Sequence, residues 1–129
     1  HRLGHGVRTS EDPELLDRLI EEGIAFEVCP TSNVHLGVYQ DFASVPLPLL
    51  MERGATIALG ADDPLLFHSR LLEQYANARE VFDLSDRQLA NLARQSIEAS
   101  LASQSSKRRW YARIEEWVSS ETPGAGSTA

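Results

Sequence analysis

At 129 residues, 42% of them hydrophobic, the chain has the length of one ordinary domain and enough apolar material to bury a core. Its formal charge of −7 resides in one half: residues 1–64 carry 4 Arg against 11 Asp plus Glu, whereas residues 65–129 balance 8 Lys plus Arg against 8 acids. Such a field disfavours a phosphate backbone, which sets nucleic acid aside as a partner, and suits a cation or an uncharged ligand. The single cysteine, Cys29, excludes an intrachain disulfide and a Cys-based zinc site, and fits a reducing cytoplasm. No apolar run approaches the ~20 residues that span a bilayer, so no membrane partner is expected.

The chain opens without a methionine, on His1-Arg2-Leu3-Gly4-His5-Gly6, which reads as a strand interior leading into a loop, so an upstream portion is expected. Glycine on both sides of His5 lets another group approach the backbone and leaves His5 projecting from the strand end. Ser10 or Asp12 then caps a helix with Pro13 near its start; Leu15, Leu16, Leu19 and Ile20 form its apolar stripe, and Gly23 stops it. Residues 24–29 read as a short strand ended by Pro30, after which Thr31-Ser32-Asn33 opens a long loop. Residues 45–53 read as a second helix terminated by Gly54, and Thr56-Ile57-Ala58-Leu59 as a buried strand.

Strand, helix, strand, helix, strand with short connections demands a parallel sheet with right-handed crossovers. Three parallel strands are too few for an open sheet with both faces covered, and the sequence turns wholly helical after Pro64, so the missing strands are expected upstream. One helix is expected over residues 68–82, a second from the capping box of Ser85 with Gln88, and a third whose Trp110, Ile114, Trp117 and Val118 pack over the body. Residues 1–118 thus form one domain portion, and residues 119–129, rich in Ser, Gly, Thr and Ala, read as a disordered tail.

Three segments follow the three strands: Gly4-His5-Gly6, Cys29-Pro30-Thr31-Ser32-Asn33 and Ala61-Asp62-Asp63-Pro64. Asp63 suits the cap before a helix and Pro64 its first position, and Asp-Asp-Pro is common turn chemistry, so the paired acids alone do not define a site. They nevertheless lie at the C-terminal end of a parallel strand, the edge where binding and catalysis collect in such folds. His35 and His68 have no motif around them and read as surface or loop residues. Cys29 reads as a small buried hydrophobe, Glu27 as a strand residue that faces solvent or needs a polar partner, and Thr31, Ser32 and Asn33 as residues that shape the loop.

In order and spacing the three segments resemble the C-terminal part of the adenosine deaminase family, zinc aminohydrolases of the amidohydrolase superfamily. The resemblance implies an α/β chain forming the last three β/α units, plus C-terminal helices, of a (β/α)8 TIM barrel. It implies Zn2+ as cofactor, Asp62 as a zinc ligand, Asp63 as a hydrogen-bond partner of the purine ring, and His5 as the histidine that orients and deprotonates the metal's water. The implied reaction is hydrolytic deamination of the 6-amino group of adenosine or an adenosine-like purine nucleoside, releasing ammonia. The family's remaining zinc histidines and its catalytic Glu belong upstream, with no counterpart here. Gly60-Ala61 stands where familiar adenosine deaminases carry Asn followed by Ser or Thr, which leaves 6-aminodeoxyfutalosine and adenine open as substrates. A barrel remnant acting as a non-catalytic interaction module is the alternative of another class. Cys29-Pro30 stands alone, without the Pro-Cys-x-x-Cys of cytidine-type deaminases, and no glycine-rich phosphate loop follows any strand.

Overall fold

The computed structural model describes residues 1–120. Three parallel strands, β1 (Arg2–Gly4), β2 (Ala25–Val28) and β3 (Thr56–Leu59), lie in that order in one sheet. The register sets Arg2 beside Ala25 and Thr56, Leu3 beside Phe26 and Ile57, and Gly4 beside Glu27 and Ala58. Alternation along each strand therefore sorts the residues by face. Leu3, Phe26, Val28, Ile57 and Leu59 share one face; Arg2, Gly4, Ala25, Glu27, Thr56 and Ala58 share the other.

The crossover from β1 to β2 contains a 3-10 turn (Val7–Glu11) and helix α1 (Pro13–Glu21). Asp12 caps α1 by accepting from the Leu15 amide at 3.1 Å, and Pro13 occupies the first turn, as the sequence suggests. The crossover from β2 to β3 departs from expectation. Thr31, Ser32 and Asn33 lie not in a loop but in a short helix, α2 (Pro30–His35), with Pro30 in its first turn. A 3-10 turn at Phe42–Ser44 and helix α3 (Leu47–Glu52) follow. Phe26, Val28, Ile57 and Leu59 pack with Leu16, Leu47, Leu50 and Leu92 into the core, where Phe26, Leu47, Leu50, Ile57 and Leu92 retain no exposure.

After β3, Asp63 and Pro64 start a single turn rather than a helix: Asp63 Oδ1 accepts from the amides of Leu65 and Leu66 at 3.1 and 3.0 Å, and the Phe67 amide returns to the Asp63 carbonyl. The cap is the predicted one, but regular helix begins only at α4 (Leu71–Phe82). Helix α5 (Asp86–Glu98) begins at the expected capping box, with the Ser85 amide donating to Gln88 Oε1 at 2.9 Å. It packs along β3, and Gln95 Oε1 accepts the Ile57 amide at 2.9 Å, so part of that strand's outer edge is satisfied by a side chain.

The last helix, α6 (Gln104–Ser120), packs on α5. Its tryptophans do not close the body: Trp117 is 37% exposed, and Trp110, Ile114 and Trp117 line an open groove of about 710 Å³ shared with Leu71 and Tyr75. The buried residue of this helix is Lys107, whose stem is covered while its ammonium donates to the Glu98 carbonyl at 2.6 Å, at the end of α5. Ser119 and Ser120, assigned from sequence to a disordered tail, are helical; the rest of that expected tail, residues 121–129, lies outside the described residues.

Candidate active site at the strand ends

His5 and Asp62 each sit just past a strand, and the backbone aims both inward. The His5 amide donates to the Glu27 carbonyl at 3.0 Å, and His5 then takes φ 57, followed by Gly6 at φ 65. A Cβ at position 6 would stand 2.8 Å from the Phe26 ring, so the turn leaving β1 requires glycine there. Asp62 also lies in the left-handed region, at φ 59. Such a conformation costs on the order of 1–2 kcal/mol for a residue with a side chain, and its occurrence at both residues brings the two groups together. His5 Nε2 lies 3.5 Å from Asp62 Oδ2, the side chains 38% and 35% exposed.

Helix α2 supplies the support beneath them. Ser32 and Asn33 are each 1% exposed. Ser32 Oγ donates to Asp62 Oδ2 at 2.7 Å, which fixes the plane of the carboxylate, and Asn33 Oδ1 lies 2.8 Å from His5 Nδ1, which fixes the plane of the ring. The helix is itself anchored from α4. Gln74, fully buried, receives the Thr31 amide at 3.2 Å, returns a 2.9 Å bond from Nε2 to Thr31 Oγ1, and also bonds Ser69. Thr31 is therefore a structural link, while Ser32 and Asn33 are parts of the site that the sequence reading left as loop-shaping residues. The available signal was Pro30, which suits a first helical turn as well as it ends a strand.

Between these strand ends lies an open cleft of about 300 Å³, bordered by Arg2, Gly4, Glu27, Cys29, His5 and Asp62. Glu27 has its polar partner: it pairs with Arg2 across the inner face. Cys29 is a small buried residue, as expected, and fills the space beside Gly60, where a Cβ would come within 3.1 Å of its sulfur. Burial, and next the nearby Asp62 charge, pushes its thiol up to about 11, so it stays protonated at neutral pH and is not a thiolate donor. His35 and His68 are exposed and stand apart from the cleft lining, His35 against Phe67 at 5.7 Å between ring centres. Asp63 is exposed and spends one oxygen on its turn.

Imidazole nitrogen and carboxylate oxygen are donors that zinc accepts, and a carboxylate oriented by a hydroxyl is the usual condition of a ligand. Asp62 fits that part. Among the described residues no three His, Cys, Asp or Glu side chains converge.

The adenosine deaminase family model matches residues 1–117. The chain belongs to the adenosine deaminase family. It is 52% identical over 117 residues to a Streptomyces coelicolor protein assigned as an adenosine/adenine deaminase, covering 91% of this chain and 34% of that protein. It is 42% identical over 113 residues to the adenine deaminase of Rhizobium leguminosarum bv. trifolii, covering 88% and 35%. The crystal structure of adenine deaminase from Arthrobacter aurescens superposes with a TM-score of 0.88 at 33% identity, over 92% of this chain and 36% of that one. The chain thus spans about a third of the length of these relatives, and its parallel sheet with helices on one face is a C-terminal portion of the family's (β/α)8 barrel.

Proposed function

We propose that the chain works within a longer zinc-dependent aminohydrolase that replaces the 6-amino group of adenine or adenosine with oxygen from water and releases ammonia. The observation that carries this reading is the convergence of His5 and Asp62 from two strand ends to 3.5 Å, each held from beneath by a buried side chain of one short helix. In this proposal Asp62 holds the metal together with residues outside this chain. Zinc, when bound, lowers the pKa of a water from about 15.7 to near 7. In such a site His5 would accept a proton from the attacking water at Nε2 and hand it toward the departing nitrogen. Asp63 retains an oxygen beyond its turn contacts with which to address the purine ring.

The substrate assignment to adenine or adenosine is supported by the names of the relatives. No helix among the described residues is long and apolar enough to cross a membrane.

Zinc-loaded full-length protein should release ammonia from adenine or adenosine faster than from 6-aminodeoxyfutalosine. Preference for 6-aminodeoxyfutalosine would reject the substrate assignment, and no release from any of the three would reject the deaminase proposal.

A further inference from the structure

We infer that Asn33 is a positioning residue that fixes the His5 ring as the Nδ1–H tautomer, leaving the Nε2 lone pair open toward Asp62. The inference rests on the proposed hydrolysis, which needs that lone pair to accept a proton. A neutral imidazole carries one N–H, and its place is set by the hydrogen bond that the opposite nitrogen can make. Here the two nitrogens have unequal neighbours. Nδ1 lies 2.8 Å from Asn33 Oδ1, within the range of a good N–H···O bond, whereas Nε2 lies 3.5 Å from Asp62 Oδ2, beyond it. The proton belongs on the side of the short contact.

Asn33 is equipped for this duty in three ways. It is 1% exposed, so water does not compete for its carbonyl. Its backbone is locked: the Asn33 amide donates to the Cys29 carbonyl at 2.9 Å, and its own carbonyl receives the amides of Val38 at 2.9 Å and Tyr39 at 3.3 Å. Its Nδ2, in contrast, is buried without a hydrogen-bond partner among the described residues. An unpaired buried donor is costly, and an apolar residue of similar size would fill the volume without that penalty, so the contact of Oδ1 with His5 is what the amide contributes. Ser32 performs the parallel service for Asp62 one residue earlier on the same helix, and α2 thus sets both groups at once.

The test uses the zinc-loaded full-length protein labelled with ring-15N histidine, and it compares wild type with Asn33→Ala and Asn33→Asp. Multiple-bond 15N–1H correlations of His5, assigned by their loss in His5→Ala, distinguish Nδ1–H from Nε2–H. The wild type should show Nδ1–H. Asn33→Ala should mix the tautomers and lower kcat about 10–100-fold, the usual scale for groups that orient an active-site histidine, with zinc content and KM within about twofold of wild type. Asn33→Asp keeps an acceptor but has no donor, and should retain Nδ1–H. An Nε2–H pattern in the wild type, an unchanged tautomer in Asn33→Ala, or loss of Nδ1–H in Asn33→Asp would overturn the inference. The spectrum reads the tautomer whether or not any purine is turned over, so failure of the deaminase proposal shows separately, as absence of ammonia release from the wild type.

Discussion

On the face of the sheet turned toward the helices, Phe26, Val28, Ile57 and Leu59 are buried, with Phe26, Val28 and Ile57 fully so. On the opposite face the same strands present Arg2, Gly4, Glu27 and Ala58 to an open cleft, where the Arg2 and Glu27 side chains remain 44% and 35% exposed. Alternation of side chains along a strand makes this division possible without any separate element: one set of residues stores stability and the other faces an open cleft. His5 and Asp62 lie past the strand ends, where the division stops and backbone turns decide the direction of a side chain. Stability and chemistry should therefore respond to different substitutions.

The sharpest way to break this comparison is at Asp62, the proposed metal ligand. Asp62→Ala in the full-length protein should remove most of the bound zinc and with it nearly all turnover, because in the proposed site its carboxylate oxygen would complete the coordination sphere, while the unfolding midpoint of the metal-free protein stays near that of the parent. Metal analysis beside thermal unfolding reads both. Retention of stoichiometric zinc removes Asp62 from the site. His5→Ala comes next: turnover should fall by roughly 10²–10⁴ with zinc still in place. Normal turnover in that variant would make His5 structural.

Phe26→Ala tests the other face. Its ring is enclosed by the helix layer and also seats Gly6, and truncating a buried phenylalanine costs about 3–5 kcal/mol. Denaturant unfolding should show that loss. A change below about 1 kcal/mol would mean that the helix-facing layer is not the main store of stability.

How much of this was legible in the sequence follows the same division. The helix-facing layer was readable because short apolar runs, Asp12 with Pro13, and the Ser85–Gln88 capping box are local signals, and each sits where expected. His5 and Asp62 were readable because they are polar groups placed just past strands. Helix α2 was not, because Thr, Ser and Asn are poor helix formers and its support comes from Gln74, 43 residues away. Once α2 was read as a loop, Ser32 and Asn33 lost their place under the site, since their partners lie 30 and 28 residues away. The open face of α6 was missed for a related reason. Helical spacing of Trp110, Ile114 and Trp117 shows that they share a side, not what covers that side.

The last test measures what surrounds the inner face. Arg2 and Glu27 pair across neighbouring strands, and among the described residues both side chains are more than a third exposed. In the full-length barrel the remaining strands should enclose this face and move the pair to a buried setting, where removing one partner strands the Arg2 charge, so Glu27→Gln should cost about 3–5 kcal/mol. The ion pair of Arg53 with Asp17, on side chains 33% and 51% exposed, gives an outer-surface control that solvent screens, and Asp17→Asn should cost under about 1 kcal/mol. Denaturant unfolding of both variants of the full-length protein gives the comparison. An equally small loss for Glu27→Gln would mean that the rest of the protein does not close over this face, and the division between a storing face and a cleft-facing one would then lack its outer wall.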